Sequence, residues 1–329
     1  MSLFPLNQGA GPSGFGYRST AEAVTLGLDL SGKTYLVTGC STGLGRETLR
    51  VLTLRGACVI ALARTLENAR KVCAQVAGDT VPLACELSDP GSINRVIDQV
   101  RSRDFRIDGI IANAGIMALP KLQQKFDLEL QFLTNHVGHF MLVTGLINQL
   151  TDHGRVVMLS SVAHKRTYHD GIQFNNLSGK KMYVPWHAYG QSKLCNLLFA
   201  RHLSTRLPGS GQTSNAVHPG VIATRLTRHM NPLLRVSARV VSPLCLKNVA
   251  QGAATQCYVA THPAVAGMTG RYFADSNEAI PSRFGQDDAL ASILWARTED
   301  IVSPVSYTHL RAHETPEHRV CRLVREKKK

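Results

Sequence analysis

Apolar residues along this chain alternate between short continuous runs and longer stretches with helical spacing. Continuous apolar runs cover residues 34–39, 57–63, 81–84, 108–113, 155–160 and 214–218. Helical spacing covers residues 19–26, 45–55, 66–76, 89–101, 126–150 and 188–206, and Asp89 is the predicted N-cap of the fourth helix. Strands without polar alternation are buried on both faces. The alternation therefore predicts a single doubly wound α/β domain of Rossmann type, with a parallel sheet and helices on both faces.

The same pattern divides the chain into three parts. Residues 1–30 are rich in Gly, Ser and Thr and predict an N-terminal arm that lies on the domain. Residues 31–302 form the predicted Rossmann-type domain, without a linker or an internal repeat. Residues 303–329 lose periodicity and form an irregular basic tail. This tail is either a disordered extension or a non-native C-terminus. We favour the second interpretation and exclude the tail from the functional argument.

Composition narrows the class of protein. Hydrophobic residues make up 44% of the 329 residues and charged residues 18%, which is ordinary globular usage. That balance excludes a disordered chain, a collagen-like chain and a coiled coil. The chain has no apolar run of about 18 residues, so no transmembrane segment is expected. The first thirty residues do not have the pattern of a secretory signal.

The net charge is +14, from 37 basic and 23 acidic residues. It fits either an anionic partner, such as a phosphorylated cofactor or a membrane surface, or a solvated basic surface. Aromatic residues are only 6% and no nucleic-acid-binding motif is present, so no nucleic acid partner is expected.

Cysteine and histidine spacing argues against a metal site. The eight cysteines form no CxxC pair and several lie in apolar runs, which predicts buried, reduced thiols in the cytoplasm or another reducing soluble compartment. His136, His139, His164 and His218 lie on different predicted elements and form no ligand set. We interpret them as cap or surface histidines and predict no metal.

A glycine-rich turn joins the first strand to the first helix. Residues 38–45 read TGCSTGLG, and such a turn lets the backbone approach a pyrophosphate at a helix N-terminus. The second strand ends with Arg64 where an NAD(H) site usually has an acidic residue, and Arg46 follows the turn. An Arg at this place accommodates a 2′-phosphate, so the sequence favours NADP(H) over NAD(H).

A tyrosine and a lysine share one face of the last predicted helix. Tyr189 and Lys193 are four residues apart in YGQSK. A phenol has an ordinary pKa near 10, and an adjacent ammonium lowers it. A Tyr tuned in this way can exchange a proton with a carbonyl or alcohol oxygen while a hydride moves.

Together these motifs resemble one family over roughly residues 17–300. The further matches are NAG at 113–115, TNHVGHF around Asn135, LSSVAH around Ser161, and HPG at 218–220. The chain is similar to the short-chain dehydrogenases/reductases. Residues 175–203 look most like the retinol-dehydrogenase-like branch, which includes plant chloroplast-envelope members, their bacterial relatives and, more distantly, light-dependent protochlorophyllide reductase.

The resemblance implies a role for each of four catalytic residues. Tyr189 would be the acid/base, and Lys193 would hold the nicotinamide ribose and lower the pKa of Tyr189. Ser161 would hydrogen-bond the substrate oxygen. We prefer it to Ser160 because the family motif places the active Ser just before a small apolar residue. Asn135 would hold a water in a proton relay beyond Lys193.

The resemblance also implies a set of cofactor contacts. These residues line the glycine turn, the ends of the second to fourth strands, the last helix and the segment after the sixth strand: Gly39, Ser41, Thr42, Gly43, Leu44, Gly45, Arg64, Glu86, Leu87, Asn113, Ala114, Gly115, Tyr189, Lys193, Pro219, Gly220, Val221 and Thr224. The family usually has Asp-Leu after the third strand for an adenine contact. Glu86 is one methylene longer, which leaves that contact open.

Residues 224–245 follow the sixth strand and carry an apolar and a basic surface. In the family this region covers the substrate. It is either a lid for a hydrophobic alcohol or carbonyl compound, with a peripheral membrane contact, or an ordinary amphipathic helix on the core.

The motifs and the resemblance together predict an NADP(H)-dependent oxidoreductase acting on a hydrophobic alcohol, aldehyde or ketone. Two other functions stay open. One is reduction of a tetrapyrrole, although no extra pigment-binding region is found. The other is a nucleotide-binding redox sensor or scaffold that docks to a membrane complex. Neither the substrate nor the oligomeric state follows from the sequence.

Overall fold

The computed structural model describes residues 9–207, 211–222 and 246–303. The strands within these residues are β1 Thr34–Thr38, β2 Cys58–Ala63, β3 Thr80–Ala84, β4 Ile107–Ala112, β5 Gln124–Lys125, β6 Leu128–Glu129, β7 Leu150–Leu159, β8 Thr213–His218, β9 Tyr272–Ala274 and β10 Asn277–Glu278. Eight of them form one sheet in the order β10-β9-β8-β7-β4-β1-β2-β3, and β5 pairs with β6 separately. Every pairing in the large sheet is parallel except β9 with β10. This confirms the predicted Rossmann-type sheet.

Helices cover both faces of the sheet. The α-helices within the described residues are α1 Ala21–Val24, α2 Gly43–Leu54, α3 Leu66–Cys73, α4 Pro90–Ser102, α5 Leu130–Phe132, α6 Gly138–Leu146, α7 Pro185–Thr205, α8 Val249–Thr261 and α9 Asp288–Val302. Leu36 and Val37 are neighbours on β1 and point to opposite faces. Leu36 packs in the core with α4, α6 and α7, and Val37 in the core with α2 and α8. Both side chains are buried, so truncation of Leu36 to Ala would cost about 2–5 kcal/mol of stability, and truncation of the smaller Val37 would cost less.

The strand order reverses between β1 and β4. From β1 the chain builds outward through β2 and β3, and from β4 it builds the other way through β7 and β8. In doubly wound sheets the crevice for a ligand opens at the carboxyl ends of the strands on either side of such a reversal. The functional residues are therefore expected after Thr38 and after Ala112.

The predicted helix over residues 126–150 is wrong at both ends. Phe126 and Asp127 have φ values of 53° and 55°, and they form the turn of the β5–β6 hairpin. Two consecutive left-handed residues cannot lie in an α-helix, so the helix begins only at Leu130, capped by Glu129. At the other end Leu150 already belongs to β7. Apolar spacing continues through both boundaries and does not reveal them.

Residues 133–137 form a π-helical turn between α5 and α6. This turn adds one residue to the helical repeat and commonly lies at functional sites. It contains Asn135, whose side chain is buried.

The part of the chain after residue 246 completes the sheet and both helix layers. α8 packs against α2, and α9 packs against α7. Trp295 of α9 stacks on Phe199 of α7 with ring centroids 5.5 Å apart. In the N-terminal segment, Ala21 and Val24 of α1 are buried in the same core as α8.

No helix among the described residues is long and apolar enough to cross a membrane.

Candidate functional site

The glycine turn after β1 leaves the N-terminus of α2 open. Thr42 stands at the N-cap, but its side chain makes no capping hydrogen bond. A Cβ on Gly45 would overlap the Gly39 carbonyl oxygen and lie 2.6 Å from Asn113 Nδ2. Only glycine therefore lets this first helical turn sit directly against the end of β4. The uncapped N–H groups are an arrangement that binds a pyrophosphate.

The segment after β4 is tied to the end of β1. Asn113 Nδ2 donates to the Thr38 carbonyl over 2.8 Å, and the Ala114 amide donates to Thr38 Oγ1 over 2.9 Å. A Cβ on Gly115 would lie 3.2 Å from Asn135 Oδ1 and 3.4 Å from Lys193 Nζ. The structure thus brings the predicted cofactor residues 113–115 against two of the four predicted catalytic residues.

Asn135 connects the segment after β4 to α7. Its Nδ2 donates to the Ile116 carbonyl and to Ser192 Oγ, each over 2.9 Å, and its Oδ1 accepts from the Ile116 amide over 2.8 Å. Both side-chain N–H groups are engaged. A water bound to this side chain would therefore have to use the remaining lone pair of Oδ1.

His139 is a residue of this site that sequence reasoning misjudged. It is fully buried and not on the surface, and so are His136 and His164. Burial lowers the pKa of His139 to about 4, so the ring is neutral. Its Nδ1 donates to the Asn135 carbonyl over 2.8 Å, and Nε2 then accepts from Thr38 Oγ1 over 2.9 Å. The available signal was its position four residues after Asn135 on one helix face.

The two serines that end the fifth predicted strand have different environments. Ser160 is buried, and its hydroxyl donates to the Lys193 carbonyl over 2.8 Å. Ser161 caps the short helix Val162–Lys165 by accepting from the Ala163 amide over 3.1 Å, and its hydroxyl acts on the Tyr189 phenol to lower the pKa of that phenol. Of the two serines, Ser161 is therefore the one that acts on the predicted acid/base.

Tyr189 and Lys193 lie on one face of α7, as their spacing predicts. Lys193 Nζ donates to the Leu159 carbonyl over 3.0 Å and lies 5.8 Å from the centroid of the Tyr189 ring. Burial lowers the pKa of Lys193 to about 8.

The expected lowering of the Tyr189 pKa is wrong for this structure. Burial raises the pKa of Tyr189 to about 12, and the hydrogen bond from Ser161 offsets only part of that. The reason is that the ammonium faces the ring and the Leu159 carbonyl, while the phenolate would lose its hydration in a buried site.

Four residues are predicted to lie around the adenosine half of the cofactor, and their surroundings in the structure differ. Arg64, directly after β2, and Arg46 on α2 are both exposed at the carboxyl edge of the sheet. The Glu86 carboxylate turns back to accept from the amide and hydroxyl of Ser88, over 3.0 and 2.9 Å. Leu87 packs in the hydrophobic core, so only its backbone could face a ligand.

The segment after β8 holds the last predicted contacts. Gly220 has a φ of 91°, and a Cβ there would lie 2.5 Å from Lys247 Cδ. Pro219 and Val221 flank it, half-buried and exposed respectively. Thr224 and the predicted lid at 224–245 lie outside the described residues. Lys247 was not predicted as a site residue, since no motif contains it.

Comparisons with known proteins span this whole site. The sequence profile described as short chain dehydrogenase matches residues 33–234. Short-chain dehydrogenase TIC 32 B, chloroplastic, from Brassica napus is 40% identical over 309 residues, covering 87% of this chain and 93% of that protein. Retinol dehydrogenase 12 from Mus musculus is 35% identical over 278 residues, covering 82% of this chain and 86% of that protein.

Solved structures show the same similarity. An uncharacterized protein from Mycobacterium paratuberculosis has a TM-score of 0.70 and 31% identity, covering 84% of this chain and 96% of that chain. A dehydrogenase/reductase from Sinorhizobium meliloti 1021 has a TM-score of 0.61 at 22% identity, covering 75% of this chain and 94% of that one, which shows a shared fold.

Proposed function

Because the chain belongs to the short-chain dehydrogenase family of nicotinamide-dependent oxidoreductases, we propose that it interconverts a hydrophobic alcohol and its aldehyde or ketone with NADP(H). One observation carries the proposal. Tyr189 and Lys193 share one face of α7 with Lys193 Nζ 5.8 Å from the centroid of the Tyr189 ring, and the Ser161 hydroxyl lowers the pKa of the same phenol. A substrate oxygen placed between the phenol and the Ser161 hydroxyl would have a proton donor and a second hydrogen-bond donor.

The glycine turn fits a dinucleotide. The uncapped N-terminus of α2 offers backbone N–H groups to a pyrophosphate, and the missing side chain at Gly45 lets the backbone approach closely. When bound, the nicotinamide supplies or accepts the hydride. Lys193, with a pKa of about 8, is largely protonated at neutral pH and can hydrogen-bond the ribose next to the nicotinamide.

Arg64 supports NADP(H) as the cofactor. It follows β2 directly, is exposed, and takes the place where an acidic residue would bind a ribose 2′-hydroxyl. A guanidinium binds a phosphate through charge-assisted hydrogen bonds, whereas NAD(H) has no phosphate at this position.

Tyr189 is protonated at neutral pH because its pKa is about 12. In the reductive direction the phenol donates its proton to the carbonyl oxygen, and Ser161 hydrogen-bonds that oxygen. In the oxidative direction the phenolate is scarce at neutral pH.

A hydrophobic substrate is supported by apolar side chains beside this site. Met117 follows the segment 113–115 and is 40% exposed, and Trp186 is 45% exposed with its ring 6.1 Å from that of Tyr189. Large apolar side chains exposed around a polar site commonly mark a binding surface. The name of retinol dehydrogenase 12 indicates a hydrophobic alcohol for that relative.

A panel of aldehydes, ketones, retinoids and steroids tests the proposal, with NADPH and NADH each as hydride donor and nicotinamide absorbance as the readout. We expect turnover with an apolar carbonyl compound and NADPH. Tight NADPH binding without turnover on any of them would instead favour the nucleotide-binding sensor or scaffold. Turnover confined to a tetrapyrrole would favour the pigment reductase.

A further inference from the structure

Lys247 is a buried cation that the proposed reaction does not use. Its side chain is fully buried just before α8, and Nζ lies 2.6 Å from Asp275 Oδ1. The contact is an ion pair without an aligned hydrogen bond. An ammonium is costly to remove from water, and a carboxylate that stays 26% exposed offsets that cost only in part. Among the described residues Asp275 is the ionic partner of Lys247, so stability alone does not explain why this lysine is buried.

The stem of Lys247 fills the space beside the predicted nicotinamide segment. Its Cδ would lie 2.5 Å from a Cβ on Gly220, so the chain passes directly against the Gly220 backbone. The Lys247 amide also donates to the Val221 carbonyl over 2.9 Å. A parallel bridge pairs Lys247 with Ile222. Lys247 thus contacts the 219–222 segment through both its backbone and its side chain.

Asp275 anchors the other end of the ion pair to a tight turn. Asp275 and Ser276 have φ values of 52° and 61° and join β9 to β10. The Ser276 amide donates to Thr255 Oγ1 of α8 over 3.1 Å. Because that turn is fixed to α8, the Asp275 carboxylate is a rigid partner for Lys247.

The N-terminal segment covers the same ammonium. Lys247 Nζ lies 5.0 Å from the centroid of the Tyr17 ring. Asn277, two residues after Asp275, donates from Nδ2 to the Phe15 carbonyl over 2.9 Å and accepts from the Ser13 amide over 3.0 Å. Residues 13–17 therefore cover the Lys247 ammonium from one side, while the Asp275 carboxylate stays 26% exposed.

We propose that Lys247 is a positioning residue of the cofactor site. Its ion pair with Asp275 holds the stem against Gly220, and this fixes the 219–222 segment where it meets the nicotinamide end of the dinucleotide. The inference rests on the proposed function, because it assigns residues 219–221 to the cofactor. Lys247 touches neither cofactor nor substrate, so its loss should weaken cofactor binding more than it slows the chemical step.

Lys247→Met in the full chain tests this inference, since Met keeps an unbranched apolar stem and removes only the charge. We expect the Kd for NADPH, measured by calorimetric titration, to rise roughly 3- to 30-fold. The kcat at saturating NADPH should stay within about twofold of the wild type. Asp275→Asn, which keeps the size of the side chain, should raise the Kd in the same way.

Arg201→Met is the matched control. It breaks another Lys/Arg–Asp pair, between Arg201 near the C-terminal end of α7 and Asp288 of α9. Because this pair is exposed, its loss should lower the melting temperature only slightly and leave the NADPH Kd unchanged. A Kd that rises equally in all three variants would show a general effect of stability and overturn the inference.

Other outcomes are equally decisive. A wild-type Kd in folded Lys247→Met overturns the inference while the proposed function stands. Loss of folding in both Lys247→Met and Asp275→Asn would make the pair a stability element and overturn it as well. A wild-type chain that binds neither NADPH nor NADH would overturn the proposed function first, and the inference with it.

Discussion

The Lys193 ammonium lies over the Tyr189 ring, 5.8 Å from its centroid, and donates to the Leu159 carbonyl. The two residues share a helix face, and the pKa of the phenol is raised by burial and lowered by the Ser161 hydroxyl. Proton donation by Tyr189 and charge at Lys193 are therefore separable, and single variants should affect different kinetic constants.

Removing the phenol hydroxyl should abolish most turnover without affecting cofactor binding. Tyr189→Phe keeps the ring and its packing, so we expect kcat to fall about 10²–10⁴-fold with the NADPH Kd and melting temperature unchanged. Steady-state kinetics and calorimetric titration measure both. Tyr258→Phe on α8, whose ring packs against Phe15, is the control and should keep kcat. Near-normal kcat in Tyr189→Phe would mean that the proton comes from another group.

The adjacent serines should separate rate from stability. Ser161→Ala should lower kcat roughly 10²-fold, because its hydroxyl is placed to stabilise charge on the substrate oxygen. Ser160→Ala removes a buried hydroxyl that donates to the Lys193 carbonyl, and should cost about 1 kcal/mol of unfolding free energy. Kinetics and urea unfolding of both variants provide the comparison. The opposite result, with Ser160→Ala losing the rate, would reassign the substrate contact.

Lys193→Met should weaken NADPH binding and yet not destabilise the fold. Burial lowers the pKa of Lys193 from 10.5 to about 8, so the folded state disfavours the ammonium by an amount on the order of 3 kcal/mol. Replacing Lys193 by Met should remove this free-energy cost. It also removes the hydrogen bond to the Leu159 carbonyl, which offsets part of the gain in stability. In the wild type the unfolded state binds more protons between pH 8 and 10.5, so this group makes stability rise with pH there. Urea unfolding across this range should therefore show the wild type gaining up to about 1.4 kcal/mol per pH unit relative to Lys193→Met, since the buried cysteines contribute equally to both proteins. A clearly lower stability of the variant at pH 7 would contradict the argument.

Local chemistry explains what could be predicted from the sequence. A continuous apolar run such as β2 predicts a buried strand, and four-residue spacing on α7 places Tyr189 and Lys193 on one face. The glycine turn is likewise a local feature. A side chain at Gly45 would overlap groups of the same strand-to-helix junction and of the residue that follows the neighbouring strand β4.

Long-range contacts explain what could not be predicted. Phe126 and Asp127 form a hairpin turn inside a stretch with helical spacing, and nothing in that spacing shows left-handed backbone. The pKa of Tyr189 depends on how deeply its phenol is buried, which four-residue spacing does not report. The contact between Gly220 and Lys247 joins residues whose proximity only the folded chain reveals.

Arg64 should decide the choice of nucleotide. Arg64→Ala should weaken NADPH binding by roughly 1.5–3 kcal/mol, the range for a charge-assisted hydrogen bond, and leave NADH binding unchanged. Arg70→Ala, which removes another exposed arginine on α3, is the control and should change neither. Calorimetric titration of both nucleotides against the three proteins gives the comparison. Equal wild-type affinity for NADPH and NADH, or tighter NADH binding, would contradict the cofactor assignment.

Acid should unfold this protein through its buried histidines. Burial lowers the pKa of His136 to about 3, and those of His139 and His218 to about 4, from an ordinary value of 6.5. Between pH 6.5 and 4 the unfolded state therefore binds up to three more protons than the folded state at these groups. Stability is fully present above pH 6.5 and falls as the pH drops, with these three groups contributing up to about 4 kcal/mol per pH unit.

A single histidine variant tests this pH dependence. His136 packs among Phe132, Phe140 and Phe199, so His136→Phe keeps an aromatic ring there and removes one titrating group. Urea unfolding at several pH values between 7.5 and 4.5 should give a slope smaller by about 1.4 kcal/mol per pH unit than the wild type. His169→Gln, at an exposed position, should leave the slope unchanged. An equal slope in His136→Phe and the wild type would show that His136 does not contribute to acid unfolding.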